Sequence, residues 1–272
     1  MKLNNIIIGL NDNIKYISLL PLVYLGWKKF FPEAKMIIAY VGNKDDSIVP
    51  SIRLFCDELE FYPIIKNINS INLSKIVRYY SCCKKSNDEF CMINDADIIP
   101  LQREYYYNLM QQMKRDKLNL IGYDNYTKER EKGKSPAGYM SGYSSIFNFV
   151  YCNGENLSWE GFMNKLLNIK NVIDNKEYIT NEPKNFCDES LTRYLLKQNK
   201  IDLSYNLKRG FNVETESIYT YNKTNNDNLM NGKLIEAHHL IKTDISEIDK
   251  IIDEKLNNIN LYLHDYIDLN KI

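Results

Sequence analysis

The sequence carries no excess of charge of either sign. Lysine and arginine together number 35, aspartate and glutamate also number 35, and only three histidines are present, so the formal net charge of the 272 residues is zero. Proteins that bind nucleic acid usually have a basic surplus, because lysine and arginine release counterions from the phosphates. We therefore expect no nucleic-acid partner.

Long hydrophobic runs are also missing. The longest candidate, residues 16–31, contains Pro21 and ends in Trp27-Lys28-Lys29, and it is too short for the roughly 20 apolar residues that cross a membrane. The apolar run Ile6-Ile7-Ile8 stops at an Asn- and Asp-containing turn and is shorter than the core of a signal peptide. We expect no transmembrane segment, no signal peptide and a cytoplasmic location, that of the host cell if the protein is viral.

Glycine and proline are scarce, with 11 and 7 residues, whereas tyrosine is frequent, with 21. Asparagine and isoleucine are also abundant, and these residues share A/T-rich codons. The bias indicates a low-GC microbial or large viral genome, and the alternative that the tyrosines stack on carbohydrate stays open.

The six cysteines form no C-x-x-C pair, and Cys82 and Cys83 are adjacent, which is poor geometry for a disulfide. We predict free thiols in a reducing compartment.

The first hundred residues alternate between short apolar runs and longer amphipathic segments. Predicted strands cover residues 5–10, 34–41, 60–65 and 89–93, and predicted helices cover 15–31, 47–59 and 70–85. This alternation predicts an α/β fold, a mostly parallel central sheet with helices on both faces.

The second half is less regular, and we predict that it completes a single domain over residues 1–272 as an embellished carboxyl-terminal half. Predicted helices cover residues 104–115, 158–169, 188–198, 246–257 and 261–269, predicted strands cover 118–123, 143–150, 203–207 and 234–240, and predicted loops cover 127–135 and 222–231.

Two polar turns follow predicted strands at the edge where such sheets bind ligands. Leu10-Asn11-Asp12-Asn13 follows the first strand and Asn94-Asp95-Ala96-Asp97 follows the fourth. Asp95 and Asp97 would repel each other unless a cation compensated them, and oxygen ligands suit Mg²⁺ or Mn²⁺. A solvated turn with two incidental acids is the alternative.

On these residues the sequence resembles glycosyltransferases of the Rossmann-like GT-A fold, in which an Asp-x-Asp motif holds a divalent cation against a nucleotide-sugar diphosphate. Arg78, on the helix before the motif, resembles the donor-binding arginine of the glycogenin and lipopolysaccharide galactosyltransferase group. The segment Asp188-Glu189-Ser190 resembles an acceptor-facing segment of the blood-group transferases. A surface charge at Arg78 and a helix cap at Asp188 are the alternatives.

The resemblance implies that residues 1–100 bind the nucleotide sugar and that residues 101–272 bind the acceptor. It implies a metal held by Asp95, Asp97 and a carboxyl-terminal histidine, either His239 or His238, although two ordinary histidines are the alternative. The implied donor-binding residues are Leu10, Asn11, Asp12, Arg78, Asn94, Asp95, Ala96, Asp97 and Lys242. Asp188 and Glu189 are the implied catalytic pair.

The small residues of segment 135–145 allow the backbone to approach a ligand closely. The resemblance implies a loop here that faces donor and acceptor, with Tyr139 and Tyr143 beside a sugar, and an ordinary loop is the alternative.

The predicted function is the metal-dependent transfer of a sugar, in particular from a UDP-hexose, to a hydroxyl of a glycan or glycosylated acceptor. Two alternatives stay open. A sugar nucleotidyltransferase shares the architecture but usually needs a glycine-rich basic loop after the first strand, and here that turn has one glycine and no basic residue before Lys15. A non-catalytic nucleotide- or glycan-binding module would keep only the fold.

Overall fold

The computed structural model describes residues 1–100, 103–121, 140–174, 188–198, 204–207 and 236–237. The amino-terminal elements are β1 (Asn5–Leu10), α1 (Ile14–Ile17), α2 (Leu20–Phe30), β2 (Lys35–Val41), α3 (Val49–Arg53), β3 (Glu58–Tyr62), α4 (Ser70–Cys83) and β4 (Phe90–Ile93). They are followed by β5 (Ile99–Pro100), α5 (Arg103–Gln112), β6 (Leu118–Ile121), β7 (Met140–Tyr143), α6 (Ser144–Phe147), a π-helix (Asn148–Cys152), α7 (Trp159–Asp174), α8 (Asp188–Gln198), β8 (Ser204–Leu207) and β9 (Glu236–Ala237).

The described strands form a sheet in the order β3-β2-β1-β4-β7-β6-β8. Neighbours are parallel except around β7, which runs antiparallel to both β4 and β6. The short strands β5 and β9 pair separately as an antiparallel ribbon. The α/β class and the mostly parallel, Rossmann-like sheet are therefore confirmed.

Both faces of the sheet are covered. Along β1, Ile7 packs in one core with α4 and α7, whereas Ile6 and Ile8 pack in the other core with α2 and α5. Strand side chains alternate between faces, so a strand buried on both sides is apolar throughout. The predicted helices on both faces are confirmed.

The helix predicted over residues 15–31 is wrong as one element, because it divides into α1 and α2. The hydroxyl of Ser18 donates to the carbonyl of Lys15 at 2.9 Å, and α2 then begins afresh with proline in its first turn. Proline has no N–H to donate, which is harmless at a helix start and disruptive inside one.

The boundary between the predicted helix 47–59 and the predicted strand 60–65 is also wrong, since β3 begins at Glu58. Asp57 ties this segment to β2: its carboxylate accepts from the amide of Met36 at 2.7 Å, and its own amide donates to the Met36 carbonyl at 2.8 Å. Lys85 then bridges Glu58 and Glu60, at 2.9 and 2.6 Å. Contacts with distant residues decide the boundary here.

Residues 143–150 were predicted as a strand, but α6 and the π-helix occupy most of this segment. The buried side chains Phe147, Val150 and Tyr151 follow a helical spacing and pack into the core beside α4. The segment is apolar and β-prone, and tertiary packing overrides that preference.

The cysteines in the described segments, Cys56, Cys82, Cys83, Cys91 and Cys152, are free thiols as predicted. Cys187 lies outside the described residues.

Within the described segments, none of the helices has both the length and the apolar character needed to cross a membrane. The predicted elements at 127–135, 222–231, 246–257 and 261–269 lie outside the described residues. The division into a donor half and an acceptor half stays a prediction.

Candidate active site

The two polar turns after β1 and β4 lie side by side. These strands are parallel neighbours, and Ile7 is in register with Ile93, so both chains leave the sheet at the same edge. A cleft of about 350 Å³ opens there. Its lining residues are Gly9, Leu10, Asn11, Tyr16, Ile71, Ser74, Lys75, Arg78, Asp95, Ala96, Asp97, Asp188 and Glu189.

Arg78 occupies the centre of the ionic network in this cleft. Its guanidinium donates to a carboxylate oxygen of Asp95 and, at 3.0 Å, to Oδ2 of Asp188, while its Nε donates to the Lys75 carbonyl at 2.9 Å. Burial alone would lower the pKa of this guanidinium, but the negative charges around it, Asp95 among them, raise the pKa well above its ordinary value. Only 5% of Arg78 is exposed, so it is not a surface charge.

Asp188 is held from two sides. Oδ2 accepts from Arg78 and also from the hydroxyl of Tyr79, at 3.2 Å. The Tyr79 ring stacks on Tyr151, with centroids 4.8 Å apart, and the hydroxyl of Tyr151 is 2.8 Å from that of Thr192 on α8. The start of α8 is therefore fixed against α4 by buried polar contacts, and Asp188 serves in a network beyond any capping role.

Asp97 and Tyr16 form another part of the lining. Asp97 is 7% exposed, and the side chain of Asp95 is 32% exposed. Burial raises the pKa of the Tyr16 hydroxyl, and the negative charges of Asp97 and Asp95 raise it further. Tyr16 and both carboxylates line the same cleft.

Residues of the first turn take different positions. Leu10 and Asn11 are buried and line the cleft, and the side chain of Asn11 donates to Ser70 at 3.1 Å. Asp12 is exposed and does not belong to the described lining.

Asn94 is buried below the second turn, where its amide donates to the carbonyls of Asp95 and Ile98. We infer that Asn94 fixes the shape of this turn.

Sequence reasoning missed the contribution of α4 other than Arg78. Ile71, Ser74, Lys75 and Arg78 all line the cleft. Their spacing of three and four residues places them on one helix face, and that pattern was the available signal.

Gly9 was missed for a different reason. A Cβ atom at this position would lie 1.8 Å from the carbonyl oxygen of Ser74, so α4 packs against the bare backbone of β1. No sequence motif marks such a contact.

The carboxylates that line the cleft fit the coordination of a hard divalent cation in part. Four carboxylates and two cationic side chains line the described cleft, which leaves an acidic surplus of oxygen ligands. In the described part of the chain, no group of three or more His, Cys, Asp or Glu side chains is arranged to hold a metal. Asp95 and Asp97 would need a further ligand from a substrate or from the rest of the chain.

The remaining predicted site residues, His238, His239 and Lys242, lie outside the described residues, as does Tyr139. β9 ends at Ala237, directly before His238, and pairs Ala237 with Ile99. This pairing brings the chain beside the segment that follows Asp97.

The loop predicted over residues 135–145 is wrong for its described part. Residues 140–143 are strand β7, and a Cβ on Gly142 would approach Leu118 of β6 at 3.1 Å, so this glycine serves strand packing. Tyr143 pairs with Phe90 at the amino end of β4, and their rings are 5.3 Å apart. Asp95 follows the opposite end of β4, which places Tyr143 away from the cleft.

No protein-family model and no curated protein matches the sequence. Among solved structures, the chain is similar to the glycosyltransferase GlyE of Streptococcus pneumoniae, with 13% identity over 94% of this chain and a TM-score of 0.49, and it spans 64% of the length of GlyE. It is similar to the galactosyltransferase LgtC, solved with donor and acceptor sugar analogues, with 13% identity over 60% of this chain, 70% of LgtC and a TM-score of 0.36. It is also similar to glucosyl-3-phosphoglycerate synthase of Mycobacterium tuberculosis, solved with Mg²⁺ and UDP, with 11% identity over 94% of this chain, 78% of the synthase and a TM-score of 0.40.

Proposed function

We propose that this protein is a metal-dependent glycosyltransferase of the GT-A type. It moves a sugar from a nucleoside-diphosphate donor, a UDP-hexose, to a hydroxyl of a glycan or glycosylated acceptor. The observation that carries the proposal is the acidic cleft at the carboxyl ends of β1 and β4, where Asp95, Asp97, Asp188 and Glu189 converge around Arg78.

The charges of the cleft make a cation necessary for this donor. Four carboxylates would repel a diphosphate, and two cationic side chains do not offset them. Asp95 and Asp97 are the proposed ligands of Mn²⁺ or Mg²⁺. When bound, the metal neutralises the leaving diphosphate as a Lewis acid. Lys75 and Lys242 are proposed to add positive charge beside it.

A carboxyl-terminal histidine is the proposed third protein ligand. The pairing of Ala237 with Ile99 supports it, because the next residue along the chain is His238. Imidazole binds Mn²⁺ better than Mg²⁺, so Mn²⁺ is the preferred cation. Successive side chains of a strand point to opposite faces, so only one of His238 and His239 would face the metal if the strand continues past Ala237.

Asp188 and Glu189 are the proposed groups that face the acceptor. Because Arg78 and Tyr79 fix one oxygen of Asp188, its carboxylate has a defined orientation at the cleft wall. A carboxylate in this position can accept the proton of the acceptor hydroxyl or stabilise positive charge at the anomeric carbon. Leu10 and Asn11 are proposed to border the nucleotide, with Asp12 and Asn94 supporting the two turns.

The test is UDP-sugar hydrolysis and transfer in the presence of Mn²⁺. We expect the Asp95→Asn/Asp97→Asn double variant to lose about a hundredfold or more of the activity. Without these two metal ligands, no bound cation offsets the charge of the diphosphate. The control is Asp45→Asn/Asp88→Asn, which changes two exposed carboxylates elsewhere.

Full activity of the Asp95→Asn/Asp97→Asn variant would overturn the proposal. Calorimetry gives a second outcome against it: UDP binding without Mn²⁺ dependence, in a protein that neither hydrolyses nor transfers the sugar, would identify a non-catalytic binding module.

A further inference from the structure

A second cavity lies between α7, α8 and the turn that follows the π-helix. Its volume is about 600 Å³, compared with about 350 Å³ for the cleft at the ends of β1 and β4. None of the residues that line the cleft also lines this cavity. It is a separate site, and the proposed function assigns it no role.

The cavity contains a buried ammonium group without a partner. Nζ of Lys165 is shielded from solvent and has no hydrogen bond or ion pair within the described segments. Burial lowers the pKa of this group, although the charges of Cys152 and Glu155 act in the opposite direction. An unpaired buried charge is costly, and an acceptor atom on a ligand would offset that cost.

Carboxamide side chains line the same cavity. Asn164 and Asn168 lie one turn apart on α7, and Gln198 projects from the end of α8. All three amides are exposed to solvent at the cavity wall. Each amide can donate and accept at once, which is what vicinal hydroxyl groups require of a partner.

The remaining walls suit the carbon face of a sugar. The half-buried ring of Tyr194 lines the cavity, as do Leu157 and Ile169. An aromatic ring beside exposed polar groups gives one apolar and one polar contact surface. The rim includes Asn153, which ends the π-helix in a left-handed conformation, and π-helical turns are frequent at functional sites.

The helix α8 connects this cavity to the cleft. Asp188 and Glu189 at its start line the cleft, whereas Tyr194 and Gln198 line the cavity. At a rise of 1.5 Å per residue, the two sites are on the order of 10 Å apart along the helix. A separation of this order is comparable with the length of an oligosaccharide of a few units.

We propose that this cavity is a saccharide-binding subsite that holds the distal units of an oligosaccharide acceptor. The inference rests on the proposed function for the identity of the acceptor. Lys165 and the carboxamides bind hydroxyl oxygens, and Tyr194 packs against a sugar ring. The reacting end of the oligosaccharide extends towards Asp188.

The experiment measures retention of the full-length protein on an array of defined oligosaccharides of two or more units. We expect wild type to bind one or more of them, and the Lys165→Met/Asn168→Leu variant to bind at least tenfold more weakly. Asn171→Leu is the matched control, because Asn171 is exposed on the same helix and does not line the cavity. Circular dichroism confirms that each variant is folded.

Two results would overturn the proposal: a wild-type protein that binds no oligosaccharide, or a Lys165→Met/Asn168→Leu variant that binds as well as wild type. Acceptor-free UDP-sugar hydrolysis separates this proposal from the proposed function. The cavity variant should retain hydrolysis, whereas Asp95→Asn/Asp97→Asn should lose hydrolysis and still bind the array. If wild type binds the array but hydrolyses no donor, the proposed function fails and the saccharide site stands.

Discussion

The cleft at the ends of β1 and β4 and the cavity between α7 and α8 each contain a buried basic group. In the cleft, Arg78 has carboxylate partners on two sides, Asp95 and Asp188. In the cavity, Lys165 has no partner within the described segments. The fold therefore compensates the first charge internally and leaves the second without a compensating partner in the described segments. Four substitutions test this contrast.

Replacement of Arg78 by methionine should have the largest effect. It leaves Asp188 and Asp95 without their cation inside the cleft, and breaking a buried ion pair in this way costs about 3–5 kcal/mol. Urea denaturation measures the free energy of unfolding. Arg115→Met, at an exposed position, is the control and should change stability by no more than about 0.5 kcal/mol. A loss below about 1 kcal/mol at Arg78 would show that the network contributes little.

Alanine at Gly9 should have the next largest effect. The new methyl group would collide with the backbone oxygen of Ser74, 1.8 Å away, and push α4 and Arg78 away from the sheet. Overpacking of this kind costs about 1–3 kcal/mol or more. Thermal unfolding checks the prediction. Gly161→Ala, where the nearest atom to the new methyl is the Ser158 hydroxyl oxygen at 3.3 Å, should be tolerated.

Phenylalanine at Tyr79 removes one partner of Asp188 and keeps the ring stacked on Tyr151. Because a hydrogen bond to a charged group is lost, we expect the free energy of unfolding to fall by about 1.5–3 kcal/mol. The loss should lie at the lower end of this range if Arg78 compensates for the missing hydroxyl. Tyr80→Phe is the comparison, since its hydroxyl donates to the neutral carbonyl of Leu157. An equal loss in both variants would mean that the charge of Asp188 plays no part.

Replacement of Lys165 by methionine should have the smallest effect, and it should stabilise the protein where the other substitutions destabilise it. It removes an unpaired ammonium from a half-buried position, and we expect a gain of up to about 1 kcal/mol in the free energy of unfolding at pH 7. A loss of stability would show that Lys165 has a structural partner.

The gain should also depend on pH. Because burial lowers the pKa of Lys165 in the folded state, the unfolded chain binds the proton more tightly. The destabilisation caused by the buried ammonium is fully present below the folded-state pKa. It declines as the pH rises towards the ordinary lysine pKa of about 10.4. Urea titrations of wild type and Lys165→Met at pH 7 and pH 10 should therefore converge, and a constant difference would contradict this account.

The sequence predicted the positions of β1, β2, β4 and α4 well, because these strands are apolar after their first residues and α4 has an apolar face through Leu73, Ile76 and Val77. It failed where distant contacts set the local structure. The strand β3 begins at Glu58 because Lys85 and β2 hold it there, and residues 144–152 are helical because they pack beside α4. Local propensity contains neither contact.

For the candidate site, the sequence predicted which polar turns converge, since parallel strands leave the sheet at one edge. Of these two turns, the residues that line the cleft are Leu10, Asn11, Asp95, Ala96 and Asp97. The partners of Arg78 could not be read from spacing, because Asp188 is 110 residues away. The cavity at Lys165 gave no sequence signal either, since asparagine is common throughout this chain.

The long separation of Arg78 and Asp188 has a consequence for the order of folding. Closing a loop of this length costs chain entropy, so the contact is expected to form after the local strands and α4. Interactions that are absent from the folding transition state act mainly on the unfolding rate. Asp188→Asn, which weakens only contacts across about this separation, should therefore accelerate unfolding in stopped-flow experiments while leaving the refolding rate nearly unchanged. The cleft would then be the part of the molecule that opens first and closes last.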